Sequence, residues 1–254
     1  DAFTDQAVFT HPGRGVDGYT ESKMNPAGSY MDMQWFSWTQ IYPFIRGANL
    51  AILKLTENEA GFDSSFTNRL LGEAYFMRGY FYSQLMRQYG GVVLTLSPFA
   101  LEDEAANPRA SFEQTVNQII SDIDQSITLL ADAPVNKSRA HKITALALKA
   151  RVLTHAASDL YEPSKNSSIS TIAGYSNKEL VSYTGGSQAA RWQAAKAASK
   201  ALLDATTGYK LDYSVPASFE EAKQNYEDIW LQGDQNQDYI WGRSIESFGY
   251  GSRT

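Results

Sequence analysis

The sequence of 254 residues contains no cysteine and only three histidines. Without cysteine there are no disulfide bonds, no thiolate nucleophiles and no thiolate metal sites. No segment approaches the roughly 20 apolar residues that cross a bilayer as a helix, which excludes a membrane-spanning helix. With 22 basic and 28 acidic residues the net charge is −6, which argues against a protein that binds nucleic acid by neutralising phosphates. What remains is ordinary globular material, 43% hydrophobic and 13% aromatic.

The motifs that might bind a cofactor or a metal are all incomplete. Residues 13–18 match G-x-G-x-x-G, but no strand precedes them and no apolar helix follows, so they indicate a flexible loop. Residues 234–238 begin like a calcium loop and lack its glycine and final glutamate, which favours a solvated turn and leaves a looser calcium site as the alternative. His11 stands alone, and His141 and His155 lie about 21 Å apart on one predicted helix. We therefore expect no cofactor and no metal.

The carboxylates do not suggest catalysis either. A glycoside-active enzyme needs two of them in one cleft, but Asp122 and Asp124 point about 200° apart on a helix. Glu73 and Asp122 are expected to bond to neighbouring polar groups. Glu73 and Arg78 point about 140° apart on a helix that is apolar on two sides, so each is predicted to be partly buried with partners on neighbouring helices. We predict that the protein is not an enzyme.

Apolar residues recur at helical spacing along much of the chain. Ser111 and Gln114 form a capping box at one helix start, and Pro43 predicts a kink or a restart within another. The fifth helix is expected to bury Trp192, Ala195, Ser199, Leu202 and Leu203. Strand is expected only near Val92–Leu96 and Tyr239–Arg243. The predicted helices are 38–57, 68–89, 111–131, 141–161, 189–206 and, less clearly, 219–229.

These helices fall into pairs whose first members begin near residues 38, 112 and 189. The regular spacing is typical of tetratricopeptide-like hairpins with long insertions. We predict a mainly all-α fold, in which tetratricopeptide-like helix pairs form a right-handed stack with loop-rich insertions. One region spans 1–254. It comprises an irregular segment at 1–34, paired helices at 35–230 with an insertion loop at 164–187, and the start of a truncated C-terminal part at 231–254.

Five motifs in order resemble the SusD/RagB family. They cover residues 38 to 230. Each motif alone is weak evidence, and the resemblance rests on all five occurring in the order found in the family. The motifs are Trp38-x3-Tyr42-x2-Ile45-x2-Ala48-Asn49, the run from Gly72 to Gly79 that leads to Tyr89-Gly90, the helix from Ser111 to Leu130, the run from Ala145 to Val152, and Trp192-x2-Ala195 to Leu202 followed by Gly208-Tyr209-x-Leu211.

The resemblance implies a surface lipoprotein of the Gram-negative outer membrane that binds glycans, or sometimes peptides, and is not an enzyme. It also implies a partner, a TonB-dependent transporter of the SusC type, on which the protein sits as a lid. Family members are about twice as long and carry a lipid on an N-terminal cysteine. This chain is therefore expected to be a fragment, with membrane contact only through a lipid anchor absent from it.

We therefore predict a surface glycan-binding component of an outer-membrane nutrient-uptake complex. The alternative is a protein-interaction scaffold of tetratricopeptide type, or a peptide-binding family member. Aromatic rings stack on sugar faces and polar side chains bind hydroxyls. The family takes ligand contacts from the segment before the first paired helix, where Trp35 is expected to contribute most unless it packs under the helices. The candidate ligand residues are Arg14, Asp17, Tyr19, Asn25, Tyr30 and Trp35, with Tyr175 and Tyr183 as a second set.

Overall fold

The structure is a computed structural model that describes residues 37–98, 107–132, 137–206, 209, 215–231, 237 and 239–242. Within these ranges every regular element is helical, which confirms the predicted all-α class. The helices are α1 (Trp38–Glu57), α2 (Ser64–Tyr89), α3 (Phe112–Leu129), α4 (Lys142–Ala157), α5 (Pro163–Asn166), α6 (Ser170–Ala173), α7 (Gln188–Ala205) and α8 (Phe219–Leu231). Short 3₁₀ turns lie at Asp159–Tyr161 and Lys178–Leu180.

The long helices pack in the order in which they occur in the sequence. Helix α2 lies between α1 and α3, α4 packs on α3, and α7 packs on α4. The predicted pairs α1/α2 and α3/α4 are therefore present. Residues 164–187, predicted as a loop, instead contain α6, the second 3₁₀ turn and most of α5. The main core lies between α1, α2, α3 and α4, where Phe76, Tyr82, Phe112 and Ile123 are almost fully buried.

Local signals set most helix boundaries. The Ser111 hydroxyl accepts from the Gln114 N–H while the Gln114 side chain accepts from the Ser111 N–H, so the predicted capping box is present. Helix α2 begins four residues earlier than predicted, because the Asp63 carboxylate caps it by accepting from the Phe66 N–H. Helix α1 is continuous through Pro43, so the predicted alternative of a restart is wrong.

A glycine permits the close approach of α2 to α3. A Cβ atom on Gly72 would lie 2.8 Å from Cγ of Leu130 and 3.0 Å from Cβ of Leu129. Both contacts are shorter than van der Waals packing allows. The absence of a side chain at Gly72 therefore sets the spacing between these two helices.

The prediction of strand is wrong wherever the structure describes those residues. Residues 92–96 and 239–242 are irregular, and Arg243 lies outside the described residues. At 92–96 the backbone bonds mainly to helix side chains instead of to a partner strand. The Thr95 N–H donates to the Tyr82 hydroxyl (2.7 Å), the Thr95 carbonyl accepts from Asn49 (2.8 Å), and the Val93 carbonyl accepts from Tyr42 (2.7 Å). These bonds satisfy the buried polar backbone that an isolated strand would leave unpaired.

One buried ion pair connects three helices and the 92–96 segment. The Arg78 guanidinium on α2 donates from Nε (2.8 Å) and Nη2 (2.6 Å) to the two carboxylate oxygens of Asp122 on α3. It also donates to Oδ1 of Asn49 on α1 (2.9 Å) and to the Leu96 carbonyl (3.2 Å). Both charged side chains are buried. The predicted burial of Arg78, with a partner on a neighbouring helix, is confirmed.

The prediction for Glu73 is correct for burial and partly wrong for its partners. Its carboxylate is partly buried, as expected, and receives Nε (2.9 Å) and Nη2 of Arg139. Arg139 lies in the segment before α4 and not on a helix, because α4 begins only at Lys142. A second arginine, Arg69, approaches from the same helix at 3.3 Å.

The predicted inward face of helix α7 is partly correct, since Ala195 is buried and Ser199 and Leu202 are partly buried, but two of its members are exposed. Trp192 is 44% exposed and Leu203 is 73% exposed, whereas Arg191, Ala195 and Ala198 are buried. Arg191 donates to the Glu162 carboxylate and to the Gly185 carbonyl (3.0 Å). These polar contacts and the close packing of small residues decide which side of α7 is buried. As a result, Arg191 is buried while the more hydrophobic Trp192 and Leu203 are exposed.

Replacing Arg78 by alanine is expected to lower the free energy of unfolding by about 3–5 kcal/mol, because the Asp122 carboxylate then stays buried without a cation. Denaturant unfolding followed by circular dichroism measures the change. Lys200→Ala, which removes an exposed ion pair with Asp204, is the control and should change stability little. Equal effects of the two substitutions would contradict the assignment.

Candidate functional site

A cavity of about 300 Å³ lies between α2, α4 and residues 239–242. We call it the aromatic cavity, because four of its lining residues carry rings. It lies within the size range of small-molecule sites, at the lower end. The residues that define its chemistry are Phe76, Tyr80, Thr144, Arg151, Tyr239 and Trp241.

Two helix faces and one irregular segment form this cavity. Phe76 and Tyr80 are four residues apart on α2 and therefore project from the same face. Thr144 and Arg151 share one face of α4 in the same way. Trp241 forms a further wall of the cavity, with its ring edge-on to Phe76 at 5.2 Å and to Tyr80 at 5.6 Å between ring centroids.

Backbone and cation contacts hold the 239–242 segment against the start of α4. The Gly242 N–H donates to the Lys137 carbonyl at 3.1 Å. The Lys137 ammonium lies 5.7 Å from the ring centroids of both Tyr239 and Tyr209, within the range of cation–π attraction. The aromatic wall is therefore tied to the helical scaffold.

The polar groups of the cavity differ in how well they are satisfied. The Thr144 hydroxyl lies 2.7 Å from Nδ1 of His141. The Trp241 indole Nε1–H is buried and has no hydrogen-bond partner among the described residues. The Arg151 side chain is exposed at the cavity rim. A cavity with aromatic rings, a threonine hydroxyl and a guanidinium suits a ligand that has flat apolar faces and hydroxyl groups.

His141 supports the cavity wall through its contact with the cavity-lining Thr144. It is almost completely buried, and its Nε2 lies 3.1 Å from the Tyr209 hydroxyl. Burial lowers the pKa of His141, and the nearby Lys137 charge lowers it further. The hydrogen bond to the Arg139 backbone opposes this lowering without reversing it, so the uncharged imidazole is favoured at neutral pH.

Of the ligand residues predicted from the sequence, Tyr175 and Tyr183 lie within the described residues. Tyr175 is at the surface, 36% exposed. Tyr183 is half-buried, edge-on to Phe112 at 6.1 Å and under the Arg191 guanidinium at 4.6 Å. Neither tyrosine lines the aromatic cavity, and both remain predictions. Six candidates lie outside the described residues: Arg14, Asp17, Tyr19, Asn25, Tyr30 and Trp35.

Sequence analysis missed Tyr80 and Trp241. The spacing of Phe76 and Tyr80 was a usable signal, since an aromatic pair at i and i+4 shares a helix face. Trp241 gave none, because it meets Tyr80 across 160 residues of sequence and was assigned to a strand. Contacts of that range follow from the packing of the helices and not from local spacing.

The carboxylates considered for catalysis are held in separate ionic contacts. Asp122 is bound by Arg78 and by the Gln118 amide (3.0 Å), and Glu73 is bound by Arg139 and Arg69. The expected bonding to neighbouring polar groups is therefore confirmed for both. Neither residue lines the aromatic cavity.

The described ranges contain neither a cluster of metal-binding side chains nor a helix that could span a membrane. There, no group of three or more acidic or histidine side chains could hold a metal ion. His155 lies apart from His141 and contacts the Tyr161 hydroxyl at 2.9 Å. None of the described helices combines the length and the apolar character needed to cross a bilayer.

Comparison with known proteins gives a consistent family. The SusD-like family model, described as starch-binding and associating with the outer membrane, matches residues 17–153. The chain is similar to SusD-like protein P38 of Formosa agariphila, with 32% identity over 141 residues, which are 55% of this chain and 26% of that protein. The chain thus spans about a quarter of the length of this curated relative.

Solved structures share the fold at lower identity. A SusD-like protein from Bacteroides fragilis superimposes with a TM-score of 0.61 at 22% identity, over 84% of this chain and 34% of that one. A structure determined with a xylogluco-oligosaccharide gives a TM-score of 0.61 at 17% identity, over 91% of this chain and 38% of that one. At these identities the likeness establishes the fold alone.

Acid is expected to destabilise the support of the aromatic cavity. The pKa of His141 lies below its ordinary value of 6.5 in the folded protein, so the unfolded chain binds more protons as pH falls from about 7.5 to 5.5. The free energy of unfolding should fall over this window. The fall should be smaller in His141→Gln, measured by denaturant unfolding at each pH. Identical pH slopes in the two proteins would contradict the role of His141.

Proposed function

The chain belongs to the SusD-like family, and we propose that it is a glycan-binding component of an outer-membrane nutrient-uptake complex. In this proposal it captures an oligosaccharide at the cell surface and passes it to a SusC-like, TonB-dependent transporter. It is a surface-exposed lipoprotein and performs no catalysis. The family description, starch-binding and associating with the outer membrane, supports the class of ligand and the location.

The observation that carries the proposal is the aromatic cavity. Sugars present C–H faces that stack on aromatic rings, and their hydroxyls need hydrogen-bonding groups close by. Tyr80 and Trp241 supply rings at the cavity, while Thr144 and Arg151 supply polar groups.

A structural neighbour adds support for the ligand class. The structure determined with a xylogluco-oligosaccharide shares the fold of 91% of this chain. Its ligand is a neutral oligosaccharide, so we extend the proposal to neutral glucans as the first ligands to test. The six candidates before α1, including Trp35, and the pair Tyr175 and Tyr183 remain proposed as further contacts.

Trp241→Ala is expected to weaken binding of maltoheptaose or xyloglucan oligosaccharides by about three- to tenfold, because stacking on one ring is worth on the order of 1–3 kcal/mol and a sugar face lies at the low end. Trp241→Phe should retain part of the affinity, since a smaller ring still stacks. Isothermal titration calorimetry of the intact protein measures both variants.

The control for this experiment is Trp192→Ala. Trp192 is 44% exposed on α7 and does not line the aromatic cavity, so its loss should leave affinity unchanged. Melting temperatures of all three variants separate loss of binding from loss of folding. Absence of binding to every glucan by the unaltered protein would refute the proposed function.

A second surface favours contact with a protein partner. An open groove of about 480 Å³ runs between α1 and α2 and is lined mainly by apolar side chains, among them Phe44, Leu55, Met77 and Phe81. Phe44 is 53% exposed and stacks on Phe81 at 5.3 Å between centroids. Contiguous apolar surface of this kind commonly marks an interface. We assign it to the transporter, and a purely scaffolding role of the protein is the second candidate function.

Phe44→Asp is expected to reduce co-purification of a SusC-like transporter with the tagged protein from solubilised outer membranes, because it places a charge in the apolar groove. Leu203→Asp is the matched control, since Leu203 is 73% exposed on α7 and lies outside the groove. Glycan affinity should be unaltered in both variants. Equal recovery of the transporter with Phe44→Asp and Leu203→Asp would remove the groove from the interface.

A further inference from the structure

The aromatic cavity continues into a second cleft along the same two helices. This cleft has a volume of about 260 Å³ and shares Leu148 and Arg151 with the aromatic cavity. On α2 the shared face continues from Tyr80 to Gln84 and Arg87, at helical steps of four and three residues. On α4 it continues from Arg151 to His155. The two openings therefore form one groove between α2 and α4.

The second cleft carries positive charge without a balancing carboxylate. Among the residues that the structure describes, Arg87 and Arg151 line it and no acidic side chain does. Neither arginine forms an ion pair within the described parts of the chain, and the one side-chain contact of Arg87 is a long one to Gln84 at 3.5 Å. Four other arginines are each paired with a carboxylate, namely Arg69, Arg78, Arg139 and Arg191. Two arginines that have no ion pair among the described residues thus lie together in one concave surface of a protein whose net charge is −6.

The neighbouring histidine strengthens this electrostatic picture. Burial lowers the pKa of His155, and the charge of Arg87 lowers it further. The ring is therefore neutral at neutral pH, and the positive charge of the cleft resides on the two guanidinium groups. A guanidinium presents a planar set of N–H donors that matches the oxygens of a carboxylate or a sulfate.

We propose that the groove between α2 and α4 binds an acidic oligosaccharide, with a sugar ring on Tyr80 and Trp241 and a carboxylate or sulfate group at Arg87 and Arg151. The inference rests on the proposed function and specifies its ligand class. Tyr80 and Arg87 lie about 10 Å apart along the helix axis, so the two ends suit successive residues of one chain. The shared chemistry is an oxyanion on a pyranose, whether a uronate or a sulfate ester.

Matched pairs of glycans test the charge requirement. Polygalacturonate is compared with its methyl-esterified form, and dextran sulfate with dextran, by affinity electrophoresis and titration calorimetry on the intact protein. The acidic member of at least one pair should bind about tenfold more tightly than its neutral twin, and the difference should shrink as salt rises. The pair that shows the difference identifies carboxylate or sulfate as the anion.

Charge-neutralising variants locate the site. Arg87→Gln is expected to weaken binding of the acidic glycan about three- to tenfold and to leave neutral glucan binding unchanged, because Arg87 does not line the aromatic cavity. Arg151→Gln should weaken acidic binding at least as much. Arg46→Gln is the matched control, since Arg46 is likewise an exposed helical arginine, on α1 and outside the groove.

The outcomes separate this inference from the proposed function. Acid-selective loss in Arg87→Gln with no change in Arg46→Gln supports the inference. Equal loss in the two variants indicates binding to overall charge and overturns it, as does equal affinity for both members of each glycan pair. In that case binding of neutral glucans still upholds the proposed function, whereas failure of every glycan to bind overturns both.

Discussion

The fold depends on the buried ion pair between Arg78 and Asp122. Removing two charges from water is costly, and their attraction offsets that cost only when the remaining donors and acceptors are satisfied. Here Asn49, Gln118 and the Leu96 carbonyl satisfy them. Each satisfying group comes from a different part of the chain, so α1, α3 and the 92–96 segment must all take their places around α2 for the pair to be tolerated. The pair therefore acts as a requirement for correct assembly of the first helices more than as a source of stability.

The position of α2 in turn decides which surfaces are left for ligands. One part of its circumference packs on α1 and α3, where Gly72 allows contact with Leu129 and Leu130. The remaining face carries Tyr80 and Arg87 toward α4. Because a helix is rigid over this length, fixing Arg78 also fixes the direction of both side chains. The buried pair and the groove are thus linked through a single helix, although they share no contact.

Local chemistry made the helices predictable, and tertiary contacts account for the errors. Hydrophobic spacing and the Ser111 capping box depend only on residues that are close in sequence. They can therefore be recognised without knowledge of the tertiary structure. The strand prediction at 92–96 failed because Tyr82 and Asn49, distant in sequence, bond to its backbone. The burial of Trp192 on α7 was mispredicted because the neighbouring Arg191 is buried instead, paired with Glu162. The cavity was missed for the same reason, since Trp241 reaches Tyr80 only in the folded protein.

The groove between α2 and α4 is built from two parts of the chain, the helices and the 239–242 segment, and this affects which ligands it can prefer. The match to the SusD-like family ends at residue 153, so Tyr80, Arg87 and Arg151 belong to the shared helical part. Trp241 comes from beyond it. A scaffold of this kind can hold helix faces in place while the segment that packs on them differs in sequence, because the 239–242 segment contacts the scaffold through a backbone bond to Lys137 and rings of α2, which are not the groups that bond Arg78 to Asp122. The aromatic residues of this segment can then change without disturbing the buried ion pair. The ligand preference of the groove can therefore vary while the stability of the helices is kept.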